Sequence, residues 1–334
     1  ACSRDQKVAQ WALSQQISFL TYKDQCIFEK KEVVTDQQKN YTVFTPYKKK
    51  WLNQITPFYL KSYANHLYQD RYLKVSSLFP MPTLSDIGFE DFQFLFPTKD
   101  LKQKMLSEYH VNRDFPALFD ATSHLGIHLR FGTLSPRELA REGQKHSDIW
   151  LSELIWRDFF MQIIWHYPQV VESSFRPQFE KVKWRENSEE FEKWRLGQTG
   201  YPLVDAGMRE LNQTGHMHNR VRMVVASFLT KHLLMHWRLG EKYFASKLLD
   251  YDLSANNGNW QWAAGTGCDA APYFRVFNPT TQLEKFDPDL IYVKKWVPEY
   301  GKAHYVKPIV DHVYARARAL KAFDQALKPQ KKNL

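Results

Sequence analysis

The chain offers little with which to cross a membrane, build a disulfide framework or cradle a nucleotide in a glycine-rich turn. Its cysteines, Cys2, Cys26 and Cys268, are odd in number and far apart, which excludes a paired framework and points to a reducing compartment. No apolar run approaches the roughly 18 residues of a membrane span, and the start lacks the pattern of a secretory leader. A soluble, cytoplasmic protein without membrane contact is therefore expected. Glycine is scarce, 13 of 334 residues. No GxGxxG follows a strand and no P-loop pattern occurs, so a Rossmann or P-loop site is excluded. His216 and His218 would point roughly 200° apart on a helix, and no cysteine or third histidine stands at ligand spacing, so no metal site is expected.

Aromatic residues, by contrast, make up 15% of the chain, with 11 tryptophans, and the formal net charge is +10. That excess of cations implies an anionic partner, a nucleic acid or a membrane surface. Lys328, Lys331 and Lys332 account for part of it as a solvated tail. The most informative stretch runs from Asp250 to Asp269, where Asp250, Asp252, Asn256, Asn257 and Asn259 precede Trp260, Trp262, Gly265 and Gly267. Carboxylates and amides read hydroxyls and ring edges, the indoles offer large π faces, and the glycines let backbone approach a ligand closely. The same composition also describes a polar loop closed by two core tryptophans.

Along the chain, Val8, Trp11 and Ala12 suggest an amphipathic helix, followed by a strand-like Ile17–Tyr22. One helix and one strand do not complete a sheet layer. Residues 1–37 are thus expected to be the end of an α/β domain whose first strands lie outside this chain. Residues 38–96, punctuated by Pro46, Pro57, Pro80 and Pro82, read as a connector with a short helix over Tyr47–Tyr63. Residues 97–334 read as a nearly all-helical domain. Ser135-Pro-Arg-Glu138 has the form of a helix start. The apolar periodicity of Asp148–His166 predicts a helix, Gly215 ends another over 202–213, and a long one is expected over 217–238. The fold class is mainly α.

Two constellations carry chemistry. Trp150, Glu153, Trp156 and Arg157 fall on one side of the 148–166 helix, either as an aromatic core face with a wet edge or as a pocket wall. Asn219 and Met223 share a face of the next long helix, with Arg222 beside them. Thr122-Ser123 and the amides of their turn could hold phosphates.

Taken in order, Tyr109…Arg113-Asp-Phe-Pro116, Thr122-Ser-His-Leu-Gly126, Trp150-x-x-Glu-Leu-Ile-Trp-Arg157, His218-Asn-Arg-Val-Arg-Met223 and Asp250 through Pro279 resemble the DNA photolyase/cryptochrome family. The likeness runs from about Tyr41 to Tyr300 and is closest to the class I cyclobutane pyrimidine dimer photolyases. It implies a helical domain holding FAD, reduced in the active form. It further implies repair of pyrimidine dimers in DNA by light-driven electron transfer, by a monomer. By the same resemblance, Tyr109, Thr122, Ser123, His124, Leu125, Gly126, Trp150 and Arg157 belong to the cofactor site, with Arg222 and Asp250 as an ion pair over the flavin. Tyr251, Asp252 and Asn256 complete that site, Asn256 opposite the flavin N5. Glu153 and Asn219 are implied as catalytic, Glu153 as a proton donor to the bases in an apolar niche. Trp156, Met223 and Trp262 enclose the dimer, and Arg113, Arg220 and Gln282 meet the DNA strand. Trp184, Trp237 and Trp260 match the electron relay, Trp184 outermost.

Three positions depart from the family pattern: His216 where Trp is usual, His124 where Arg is usual, and Gly126 where Ser is common. No antenna chromophore is expected, because the remnant at 1–37 cannot assemble the sheet that would hold one. The alternative is a cryptochrome-type blue-light photoreceptor without repair activity. The (6-4) branch resembles His-His where this chain has His218-Asn219. A helical DNA-binding domain without cofactor would lack flavin absorption.

Overall fold

Helix Asp148–His166 forms over the residues that its apolar periodicity predicts and centres one of the two main cores. The computed structural model describes residues 2–74, 80–90 and 96–328; Lys331 and Lys332 of the basic tail lie outside them. The chain begins with α1 (Cys2–Ser14), α2 (Phe44–Gln54), α3 (Pro57–Leu60), α4 (Gln103–Asn112), α5 (Gly126–Phe131), α6 (Pro136–His146) and α7 (Asp148–His166). It continues with α8 (Ser188–Leu196), α9 (Pro202–Thr214), α10 (Asn219–Ser227), α11 (Trp237–Lys247) and α12 (Leu253–Ala264). The last three are α13 (Pro279–Phe286), α14 (Ile291–Trp296) and α15 (His312–Leu327). None of the described helices is long and apolar enough to cross a membrane.

The mainly α class stands, with corrections. No strand occurs among the described residues, where the β pairing is a single antiparallel bridge between Val34 and Asn40. Ile17–Tyr22, read as a strand, is an irregular segment with Leu20 and Tyr22 exposed. Extended backbone needs a neighbour for its N–H and C=O groups, and no described strand provides one. The helix expected over Tyr47–Tyr63 is two, α2 and α3, because Ile55 and Thr56 take extended ψ values of 127° and 166° ahead of Pro57, as residues before proline tend to. The helix expected over 217–238 also divides. α10 passes into a π turn at Phe228–His232, and Leu234 adopts φ +51°. The chain restarts at α11, where His236 Nδ1 accepts from the Arg238 N–H at 3.2 Å.

The start signal at Ser135 acts as read, and Ser147 supplies a second cap that the sequence reading did not name. Ser135 accepts from the Arg137 N–H ahead of α6, and Ser147 from the Trp150 N–H ahead of α7. Gly215 closes α9 at φ +67°, a conformation that suits glycine. Helix α7 buries Leu151, Leu154, Ile155, Phe159 and Phe160 in one core with Tyr47, Trp51 and Leu106. A second core gathers Leu203, Val221, Val225, Trp237, Phe244 and Trp260 from α9 to α12. Helix α12 packs against α7, α10 and α11. It can do so closely because Gly258 lies against Phe160, where a Cβ would sit 2.1 Å from the ring, and Gly240 admits Trp260 on the other side.

Asp158, buried on α7, ties the early residues to this core. Its Oδ2 accepts from Trp51 Nε1 at 3.2 Å and from the N–H groups of Ile27 and Phe28 at 3.2 and 3.4 Å. Burial pushes its carboxyl up to about 6 despite those donors. A raised folded-state pKa means that the contribution is present in full below the unfolded value, near 3.9, and is lost as pH rises through about 6. Between pH 4 and pH 7 the wild type should therefore lose up to about 3 kcal/mol relative to Asp158→Asn. Denaturant titrations of both proteins at the two pH values read this, and parallel pH profiles would refute it.

Candidate cofactor and substrate site

Two adjoining cavities open where α10, α12 and the loop before α12 meet α5 and α7. The smaller, of about 100 Å³, is walled by Asn219, Arg222, Met223, Asp250, Tyr251, Asp252, Asn256, Trp260 and Trp262. The larger, of about 400 Å³, adds Arg113, Gly126, Arg130, Glu153, Trp156, Arg157 and Phe160. Both share Asn219, Arg222, Met223, Asp250, Asp252 and Trp262. Residues from five separate stretches of sequence thus converge.

The wall between the cavities is built on charge. Arg222 Nη2 lies 2.9 Å from Asp250 Oδ2, and Arg222 Nε donates to the Met217 carbonyl at 2.7 Å. Burial opposes charge on Asp250, yet Arg222 beside it holds the carboxyl below its ordinary range. Gly126 approaches this pair so closely that a Cβ there would lie 2.9 Å from Asp250 Oδ2. The departure from serine at this position is therefore sterically matched. Asp252 caps α12, its Oδ1 accepting from the Ala255 N–H at 3.0 Å. Asn256 Nδ2 donates to the Glu241 carbonyl at 3.0 Å and to Glu241 Oε1 at 2.9 Å. This fixes the amide, and burial raises the pKa of Glu241, partly offset by Asn256.

On the α7 side, Glu153 does not stand in an apolar niche as expected. Arg113 Nη1 donates to its Oε1 at 2.6 Å, and although burial works against the Arg113 charge, Glu153 holds its pKa above the ordinary value. Trp156 is packed as a core plate, with Phe44 stacked on it at 3.6 Å and 6° and Phe160 at 5.3 Å. It meets the larger cavity with what those rings leave uncovered. Arg157 lines the same cavity while donating to the Gln25 carbonyl. Met223 and Trp262 lie where both cavities meet, Trp262 stacked with Phe277.

Other expected residues lie further out. Tyr109, Leu125 and Trp150 are buried in the α7 core, and Thr122 and Ser123 are half-buried ahead of α5. His124 and His216, the two other departures, are neighbours: their rings are 5.0 Å apart, with Glu210 at 3.5 Å from His216. Arg220 pairs with Asp114 at 2.8 Å, and Gln282 Oε1 is buried without a partner among the described residues. Trp184 and Trp237 both lie against His236, at 5.4 and 5.7 Å, while Trp260 packs against Phe244 and Trp194. Sequence reading missed Arg130, Glu241 and Trp194. None belongs to an ordered motif, and only their spatial neighbours single them out.

Two family models match the chain, the FAD binding domain of DNA photolyase over residues 150–304 and DNA photolyase over residues 1–64. It is 41% identical to the deoxyribodipyrimidine photo-lyase of Salmonella typhimurium, covering 92% of this chain and 72% of that relative. The chain belongs to the DNA photolyase family. The crystal structure of a bacterial class III photolyase from Agrobacterium tumefaciens has a TM-score of 0.83 at 33% identity, covering 98% of this chain and 77% of that one. A cryptochrome from Synechocystis sp. has a TM-score of 0.76 at 26% identity, covering 95% and 76%.

FAD is the cofactor of this photolyase domain, and the residues present fit it. Asp250 Oδ1 is shut off from solvent without a hydrogen-bond partner among the described residues. Such an orphaned acceptor is costly unless a ligand satisfies it. The remaining donors and acceptors of the wall, Asp252, Asn256 and Arg222, face the same space. Helix α12 carries Asn256 and is capped by Asp252, so its seating on α7 should control cofactor retention. Gly258→Ala should destabilise the protein by about 1–3 kcal/mol through overpacking and lower its flavin content on purification. Unchanged denaturation midpoint and unchanged flavin-to-protein absorbance ratio would show that Phe160 can give way.

Proposed function

We propose that this protein uses light to repair cyclobutane pyrimidine dimers in DNA. The observation that supports this best is the junction of the two cavities. The smaller one presents Arg222, Asp250, Asp252 and Asn256 as donors and acceptors for the edge of a flavin ring. The larger, about 400 Å³, suits two extruded bases in contact with it. FAD, when bound and reduced, supplies a light-driven electron to the dimer and recovers it after the ring has split, with no net redox change. The protein's own part is to hold, orient and exclude water. Tyr109, Thr122, Ser123, Leu125 and Trp150 serve the diphosphate and ribityl side, and His124, Gly126 and Arg157 belong to the same cofactor site. Arg222 and Asp250 position the ring, with Tyr251 and Asp252 at its edge. Glu241 aims the Asn256 amide.

Flipping a dimer out of the duplex costs a few kcal/mol, less for a damaged step, and stacking returns about 1–3 kcal/mol per base. Trp262 provides the open aromatic face, and the exposed part of Trp156 the second wall. Asn219 and Met223 border the bases. Glu153, once Arg113 releases it, hydrogen-bonds a base edge. Arg113, Arg220 and Gln282 meet the strand and position it rather than read sequence. Trp260, Trp237 and Trp184 supply electrons that return an oxidised cofactor to its active form.

A second reading, a cryptochrome-type receptor without repair, draws on the likeness to the Synechocystis cryptochrome. Illumination of reduced protein with a dimer-bearing oligonucleotide separates them. Restored monomer bases are expected, and FAD binding without restoration would favour the receptor. Trp260→Phe should abolish photoreduction of oxidised FAD yet leave repair intact in protein reduced chemically beforehand. Photoreduction at the wild-type rate in this variant would refute the assignment of Trp260.

A further inference from the structure

At the mouth of the larger cavity, ion pairs occupy the two arginines that the reading above assigns to the DNA backbone. Arg113 Nη1 is 2.6 Å from Glu153 Oε1. Asp114 touches both arginines, its Oδ2 2.8 Å from Arg220 Nη2 and its Oδ1 3.9 Å from Arg113 Nε. Two cations and two carboxylates cancel, so this cluster offers an arriving phosphate no net positive charge. All of them are partly shielded, with side-chain exposures of 35% for Asp114, 24% for Arg113 and 17% for Arg220, so solvent screens them incompletely.

Each arginine has an aromatic support besides Asp114. The Arg220 guanidinium lies over the Phe286 ring at 4.3 Å, and Phe286 is braced edge-on by Phe115 at 6.3 Å. Arg113 lies over Tyr109 at 5.1 Å and keeps its pair with Glu153. Planar guanidinium stacking of this kind holds orientation without a carboxylate.

We propose that Asp114 competes with a DNA phosphate for Arg220 and Arg113, and thereby limits affinity and hastens release of the repaired strand. The proposal rests on the DNA-repair reading of this site. When a phosphate takes Arg220, the Asp114 carboxylate is left beside it, and like charges at close range oppose binding. Asp114 is thus an affinity-setting residue, acting through the arginines rather than on the dimer.

The test compares wild type, Asp114→Asn and Asp114→Glu, all carrying FAD, in the dark on intact and dimer-containing duplexes. Asp114→Asn is expected to bind both duplexes about fivefold tighter, the equivalent of about 1 kcal/mol, and to dissociate correspondingly more slowly. Asp114→Glu keeps the charge and should stay near wild type. Flavin content and helical circular dichroism check that the variants are folded, and Asp114→Ser, read in the same way, replaces Asp114→Asn should the latter not fold. Equal or weaker binding by the folded neutral variant overturns the proposal and makes Asp114 a positioning residue. A wild type that binds neither duplex overturns the underlying DNA reading, and the proposal falls with it.

Discussion

A half-buried ion pair, Arg222 with Asp250 at 2.9 Å, is the contact on which the arrangement of the site depends. It joins α10 to the loop that leads into α12, and Gly126 at the start of α5 closes over it. A lone carboxylate in that position would be costly to keep charged. With Arg222 alongside, Asp250 stays ionised, and its second oxygen is left for a ligand. Removing either partner would strand the other beside both cavities. Charge here fixes geometry more than it adds stability.

Around that pair the protein uses buried polar groups as fasteners. Asp158 gathers three N–H donors from residues 27, 28 and 51. Asp205 accepts from the Thr199 N–H and hydroxyl, the Gly200 N–H and the Tyr305 hydroxyl. Lys231, its pKa pushed down to about 7 by burial, donates to the carbonyls of Ala264 and Tyr273 and lies over Phe323. Each links segments distant in sequence. Their satisfaction by several partners is what makes such groups tolerable in an apolar interior. The consequence for function is rigidity: α12, which carries Asn256 and Trp262, is held from α7, α10 and α11 at once.

At the mouth of the cavity, by contrast, charges are poised for exchange. Glu153, Arg113, Asp114 and Arg220 pair with one another without a ligand, and a nucleic acid can offer the two arginines phosphates in place of these carboxylates. The cofactor side is fixed by packing and the Arg222–Asp250 pair, and the substrate side by pairs that can open. This division suits a site that keeps one ligand and turns over another.

The sequence alone determined what local rules control. The helix over Asp148–His166, the starts at Ser135 and the stop at Gly215 follow from periodicity, capping and left-handed backbone, all of which involve neighbours a few residues apart. The ordered motifs also pointed to the family and to many of the residues that line the two cavities, because those residues lie in contiguous stretches. What only the tertiary structure decided depends on neighbours remote in the chain. Ile17–Tyr22 has strand-like composition but no partner strand among the described residues. The break at Leu234 follows no proline or glycine signal. Whether Trp156 is core face or pocket wall depends on Phe44, more than a hundred positions earlier, which stacks on it. Glu153 has an apolar niche by its sequence neighbours but Arg113 against it in the fold, and His124 with His216 form one feature only in space. Periodicity tells which side of a helix is buried. It does not tell what lies against that side, and side-chain chemistry depends on that contact.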